Sequence, residues 1–155
     1  MFSHNLIRLH IMQKVLLLFL SIIMLSCSAS DESQEMKFDT SIFPQEWELV
    51  ETSSSLNGMN ANSDLQYRET IVLKADNSFL KRRIENNDTI EAVGSYKFTD
   101  SGNLTVLILT HSTNNVIIEN CSSGLTEYFN LNSSSNFSGG AIACDGAGLF
   151  YERIK

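Results

Sequence analysis

The sequence has few of the residues that build most catalytic and metal sites. Its 155 residues include one proline, three histidines and three cysteines, and 18 acidic side chains outnumber 11 basic ones. The net charge of −7 argues against nucleic acid or an anionic bilayer as a direct partner, because both require clustered Lys and Arg. Residues 27–155 also lack a phosphate-binding glycine-rich loop, a Cys/His metal spacing and a serine nucleophile elbow. We therefore expect no enzyme activity, no cofactor and no metal.

The apolar stretch near the N-terminus is too short for a permanent transmembrane helix. It runs for eleven residues, from Val15 to Leu25, whereas a spanning helix needs roughly 17 to 25. Lys14 precedes this stretch, and Ser26 and Cys27 follow it. This arrangement resembles a bacterial lipoprotein signal. The resemblance implies that residues 1–26 are removed, that Cys27 is lipidated, and that the protein is anchored in the outer membrane, at the cell surface or on the periplasmic face. A cleaved secretory signal without a lipid is the alternative.

The residues on either side of the apolar stretch suggest a translation start before it and a tether after it. Met12-Gln13-Lys14 would form a compact basic beginning, so Met12 is a candidate for the true start. Residues 27–42 are mostly small and polar and predict a flexible tether. Within it, Asp31 and Glu32 resemble the acidic residues that follow the lipidated cysteine in surface-exported lipoproteins of Bacteroidota. A solvated linker without sorting information is the alternative. Residues 43–155 then form a single folded domain.

Two cysteines remain once Cys27 is assigned to the lipid. In an oxidising compartment, Cys121 and Cys144 within one small domain are expected to form a disulfide. A metal site is the rival interpretation, but it needs further ligands, and the chain after Cys27 offers only His111. Because His111 lies beside the polar stretch Ser112-Thr113-Asn114-Asn115, we expect it to be a solvated turn residue.

Short runs rich in β-branched and aromatic residues recur about every ten residues after Pro44. Clusters of Asn, Asp, Ser and Gly separate them, as in a β-meander, and several of these residues tolerate positive φ. No stretch keeps a helical period. The predicted strands are Trp47 to Thr52, Tyr67 to Lys74, Ser78 to Glu85, Thr89 to Phe98, Asn103 to Thr110, Val116 to Glu119, Leu125 to Leu131 and Leu149 to Ile154. We predict an all-β fold, a small antiparallel up-and-down barrel of about eight strands, since closure removes exposed edges.

The aromatic side chains and one basic cluster are the candidate ligand-binding residues. Strand alternation places Lys81 and Arg83 on the face of Phe79 and sends Arg82 to the other face. Arg82 is either an anion-binding group in or at the mouth of the barrel, or an exposed partner of acids such as Glu69 and Glu91. A cavity survives only if small residues such as Ala92 and Gly94 are not compensated by bulky neighbours. The candidate set is Trp47, Tyr67, Phe79, Arg82, Tyr96 and Phe98.

Three segments resemble the lipocalin-like lipoproteins of Bacteroidota. They are Pro44 to Val50 at the start of the domain, Ile71 to Phe79 as strand, turn and strand, and Cys144 to Ile154 at its end. The likeness covers the domain from about residue 43 to residue 155. It implies an eight-stranded barrel in which Trp47 closes one end and Arg153 packs across it.

These observations predict a lipid-anchored envelope protein that acts by binding. The first hypothesis is capture of a small apolar or amphipathic molecule inside the barrel, with Trp47 at its base. The alternative is a protein-interaction or inhibitor module that uses loops such as Glu51 to Leu65 and Ser133 to Gly140. A continuous pocket would favour the first hypothesis, and a filled barrel with ordered loops would favour the second.

Overall fold

The fold consists of antiparallel strands. The structure is a computed structural model, and it describes residues 38–39, 41–54, 58–61 and 65–155. Its strands are β1 (Gln45–Ser54), β2 (Gly58–Ala61), β3 (Arg68–Leu73), β4 (Ser78–Glu85), β5 (Asp88–Ser101), β6 (Leu104–His111), β7 (Thr126–Ser133), β8 (Asn136–Gly140) and β9 (Gly148–Arg153). A single 3-10 turn, Ile142–Cys144, precedes β9 within the described part of the chain. No helix of the described residues is long and apolar enough to span a membrane.

Eight of these strands form a closed barrel. From β3 to β9 each strand pairs antiparallel with the next, and β1 pairs with both β3 and β9 to close the ring. The short β2 is additional and pairs with the second half of β1, where Glu51 lies opposite Ala61. A β-bulge between Leu49 and Glu51 lets β1 change its register against β9. The predicted up-and-down barrel is therefore confirmed.

Turn residues explain where β3, β4 and β5 end. Asn77, Asn86 and Asn87 have φ of 62°, 51° and 71°, and Gly102 has φ of 64°. These values lie in the left-handed region, which Asn and Gly tolerate better than other residues. The four residues occupy the hairpins before β4, β5 and β6, as the sequence predicted. The predicted strand Ser78 to Glu85 matches β4 residue for residue.

One predicted strand and two predicted loops differ from the structure. Val116 to Glu119 is not a strand but part of the connection between β6 and β7. Ser133 to Gly140 is not a projecting loop, because β8 occupies Asn136–Gly140. A Cβ atom at Gly139 would collide with the Phe129 ring and the Tyr128 carbonyl, so glycine lets β8 lie close against β7. Likewise, much of the predicted loop Glu51 to Leu65 belongs to β1 and β2, and its residues 55–57 and 62–64 lie outside the described part.

The end of the barrel where β1 begins is packed with apolar side chains. Phe38 stacks on Phe98 with ring centroids 3.8 Å apart, and it lies 6.4 Å from the Trp47 ring. The Gln45 side chain holds the preceding segment by donating to the carbonyl oxygens of Asp39 (2.6 Å) and Ile42 (3.1 Å). Phe38, Asp39 and Ile42, which the sequence predicted to be part of the tether, therefore contact the barrel.

Candidate functional site

The predicted aromatic residues lie inside the barrel and pack against one another. Trp47 and Phe79 are at most 1% exposed, and Tyr96 is also buried. The Trp47 ring centroid lies 4.6 Å from that of Phe137, which in turn lies 5.0 Å from that of Tyr151. Close-packed rings of this kind form a continuous apolar core in this part of the barrel. Trp47, Phe79 and Tyr96 thus belong to one apolar core, and Tyr67 and Phe98 pack against it.

The small inward residues of β5 make room for long side chains of β4. Ala92 lies opposite Lys81, and Gly94 lies opposite Phe79. A Cβ atom at Gly94 would collide with the Thr110 carbonyl and the Phe79 ring. These small residues are thus compensated by bulky neighbours, which is the condition under which the sequence predicted a filled interior at this level of the barrel.

Arg82 lies on the outer surface of the barrel, so its interpretation as a group in or at the mouth is wrong. Its guanidinium is 2.8 Å from a Glu91 carboxylate oxygen, and both side chains are about half exposed. It also borders a shallow outer groove of about 180 Å³ with Glu46, Arg68 and Ile84. Alternation along β4 gives the reason, since Phe79, Lys81 and Arg83 point inward. The alternative interpretation, pairing with an exposed acid, describes Arg82 correctly.

A group of buried polar side chains occupies the interior toward the other end of the barrel. We call it the ionic cluster, and its members are Glu69, Lys81, Arg83, His111, Glu127 and Tyr151. Lys81 lies at its centre, with Nζ 2.8 Å from Glu127 Oε1 and 3.3 Å from Glu69 Oε1. These three side chains are fully buried. Two carboxylates therefore share one ammonium group out of contact with water.

Arg83 holds the second part of the cluster. Its Nε atom donates to Glu69 Oε2 at 2.5 Å, and its Nη2 atom lies 3.3 Å from Glu119 Oε1. The guanidinium carbon lies 3.9 Å from the centre of the Tyr67 ring, which is a cation–π contact. The Tyr151 hydroxyl donates to Glu69 Oε1. Glu69 thus contacts Lys81, Arg83 and Tyr151. Tyr67 lies against the Arg83 guanidinium at the edge of the cluster.

His111 is buried, which corrects the prediction of a solvated turn residue. It is 2% exposed, because it ends β6 and points inward opposite Gly94. Its Nε2 atom is 2.6 Å from Glu127 Oε2, and its ring meets the edge of Phe79 at a centroid distance of 5.0 Å. The polar stretch that begins at Ser112 suggested exposure, but His111 is still the last residue of β6.

The connection between β6 and β7 covers the ionic cluster. We call residues 112–125 the strap. Within the strap, the Ile117 side chain is fully buried, and the Ile117 carbonyl oxygen accepts from Lys81 Nζ at 2.8 Å. The Glu119 backbone N–H donates to Glu127 Oε1 at 2.9 Å. Burial of Ile117 and these two hydrogen bonds fix the strap over the barrel.

A disulfide between Cys121 and Cys144 joins the strap to the 3-10 turn before β9, as predicted. The Cα atoms are 5.5 Å apart, a usual separation for a disulfide. Both cysteine residues are exposed. The strap is therefore attached at Cys121 by a covalent bond that solvent can reach.

Burial and charge shift the titration of several cluster members. Burial raises the pKa of Glu127, but the Lys81 ammonium and the hydrogen bond from His111 lower it more, so that the net direction is down. Burial raises the pKa of Tyr151 well above its usual range, and the neighbouring Glu69 carboxylate adds to this effect. Burial also raises the pKa of Tyr67 to about 12, although Arg83 opposes the change. At neutral pH the cluster thus contains an ionised Glu127 and a neutral Tyr151, and the adjacent Tyr67 is also neutral.

The sequence carries a signal for the ionic cluster in the alternation of its strands. Alternation placed Lys81 and Arg83 with Phe79, and the same rule places Glu69 with Ile71 and Leu73 on β3. On β7 it likewise places Glu127 with buried aromatic and aliphatic residues. Two cations and two carboxylates on inward faces can neutralise one another, and the sequence-based prediction missed that pairing.

Among the described residues, no group of three or more His, Cys, Asp or Glu side chains is arranged to hold a metal ion. Comparison with known proteins gave no match to a family model, to a curated protein or to a solved structure.

Proposed function

We propose that this chain is a lipid-anchored protein of the outer membrane whose barrel is a rigid scaffold that binds another protein at its surface. The packing of the described residues inside the barrel supports the proposal. At one end the barrel contains packed rings around Trp47, and at the other the ionic cluster lies beneath Ile117 of the strap. This arrangement favours protein interaction over capture of a small apolar molecule, for which these side chains would first have to move.

The direction of the strands supports the strap end as the binding end. Phe38 packs where β1 begins, so a tether from a lipid on Cys27 would reach the barrel at that end. From β1 through β3, β4, β5 and β6 the chain reverses at each strand, so β6 ends at the opposite end. The strap therefore lies at the end opposite Phe38, where a partner could reach it. Membership of the lipocalin-like lipoproteins of Bacteroidota is part of this proposal, supported by the barrel and by Arg153 lying opposite Trp47.

The anchor is tested by expressing the full chain in a Gram-negative bacterium and comparing it with Cys27→Ala. We expect mass spectrometry to show an acyl mass on Cys27 and detergent-phase partitioning of the wild type, with neither in the variant. An N-terminus that still begins at Met1 or Met12 would contradict lipidation.

Protein binding is tested by cross-linking on intact cells, followed by identification of the linked peptides. We expect links between strap residues and one partner protein, because the strap end is the accessible end. Native mass spectrometry of the same material supplies the opposing result. A small molecule bound at one copy per chain, without protein cross-links, would favour ligand capture instead.

A further inference from the structure

The strap contacts the ionic cluster through the same kinds of groups that a bound peptide would offer. Ile117 contributes a buried apolar side chain and a carbonyl oxygen that accepts from Lys81. Glu119, two positions later, contributes an N–H to Glu127 and a carboxylate oxygen 3.3 Å from Arg83. The strap thus contacts two cations. It binds Lys81 through a backbone carbonyl and Arg83 through a side-chain carboxylate.

We propose that the strap is an intramolecular ligand, and that a partner protein displaces it with a peptide segment of the same chemistry. This inference rests on the proposed protein-binding function and names the partner's recognition element. The segment has a branched apolar residue followed two positions later by an acidic residue. Its apolar side chain replaces Ile117, and its carboxylate replaces that of Glu119 on Arg83.

Replacing the strap with another peptide segment costs less free energy than opening the strap without a replacement. If the strap left without a replacement, Lys81 and Glu127 would each lose a hydrogen bond inside the barrel, which is costly for charged groups. An incoming segment restores both bonds. The barrel beneath stays intact, because its strands are paired on both sides and do not include the strap.

The disulfide keeps the strap in place. A segment attached at both ends competes with a free peptide at an effective concentration in the mM range, and a third attachment at Cys121 confines it further. An external dithiol can remove this attachment. It supplies two electrons and two protons to the Cys121–Cys144 bond, leaving two thiols on this chain and becoming a disulfide itself.

The test measures binding of a fluorescent peptide with the sequence of residues 114–120 to the full chain by anisotropy. The protein carries Glu119→Gln, which weakens its own strap, and is used oxidised and after reduction with dithiothreitol. We expect the reduced protein to bind at least about tenfold tighter than the oxidised one, because the competing strap is less confined. The same peptide with glutamine in place of its glutamate should bind at least about tenfold more weakly, since it loses the charge on Arg83. Adding Arg82→Ala, on the outer face, should change neither result.

Hydrogen exchange gives a second measurement that does not depend on the peptide. Reduction should accelerate exchange of strap amides such as that of Glu119, while the amides of β4 to β6 stay protected. If reduction unfolds the barrel, oxidised Ile117→Ala provides the alternative variant and should show the same local acceleration.

Unchanged strap exchange in both cases, or equal binding of the two peptides, would overturn the inference. Protein cross-links on intact cells without any peptide binding would overturn strap displacement alone and leave the proposed function standing.

Discussion

Replacing Lys81 with methionine tests whether the ionic cluster is held together by its central cation. Methionine keeps a long apolar stem but removes the charge that Glu69 and Glu127 share at 3.3 and 2.8 Å. All three side chains are fully buried, and removing one partner of a buried ion pair costs about 3–5 kcal/mol. We expect the free energy of unfolding to fall by about that amount at pH 7.

Arg82→Met is the matched control, because it removes the neighbouring cation on the other face of β4. Its ion pair with Glu91 is about half exposed, and such pairs contribute about 0–1 kcal/mol. Urea unfolding can be followed by far-UV circular dichroism and by the fluorescence of the single tryptophan, Trp47, which is fully buried. Equal losses of stability in the two variants would refute the reasoning.

The pH dependence of the Lys81→Met effect provides a further check. In the wild type Lys81 helps to lower the pKa of Glu127 below its ordinary value of 4.5, so Glu127 contributes stability that is present above that value. This contribution is lost as pH falls through the lower pKa of the folded state. In the variant the cation is absent, and protonation of Glu127 relieves the cost of keeping its charge buried. The difference in stability between wild type and variant should therefore shrink between pH 7 and pH 4.

Three further predictions concern the disulfide, the packing and the tyrosines. Cys121→Ser should lower the free energy of unfolding by about 3.5 kcal/mol, the chain-entropy value for a sequence separation of 23, as measured in urea. Gly94→Ala should cost about 1–3 kcal/mol through its collision with the Thr110 carbonyl, and an unchanged thermal midpoint would contradict this. Because the pKa values of Tyr67 and Tyr151 are raised, the folded state retains protons that the unfolded state loses above pH 10. Stability should therefore fall as pH rises from 10 to 12, and absorbance at alkaline pH should show phenolate forming as the protein unfolds.

The sequence predicted the barrel well because local signals agreed with the global fold. Asn77, Asn86 and Gly102 mark hairpins by their tolerance of positive φ, and β-branched runs fill the strands between them. The missed strand β8 has the sequence Asn-Phe-Ser-Gly-Gly, with a single apolar side chain at Phe137. It is a strand because β7 and β9 pair with it on both sides, and such tertiary context leaves no trace in propensity.

The candidate site was harder to predict, because charge usually indicates exposure. The rule that Lys and Glu stay at the surface holds for isolated groups, and it fails where opposite charges meet inside. Alternation along β4 correctly separated Lys81 from Arg82, yet the predicted binding residue was Arg82. Pairing Lys81 with Glu127 required knowing that β4 and β7 face each other across the barrel. A single sequence does not show which non-adjacent strands face each other.

Closure of the barrel by its first and last strands has a consequence for biosynthesis. Residue 47 pairs with residue 153, so the chain must be synthesised as far as β9 before the ring can form. A shortened or stalled chain that lacks β9 would leave β1 and β8 with unpaired backbone groups, which promote aggregation. Until β9 is synthesised, these two strands can therefore pair with edges of other copies of the chain.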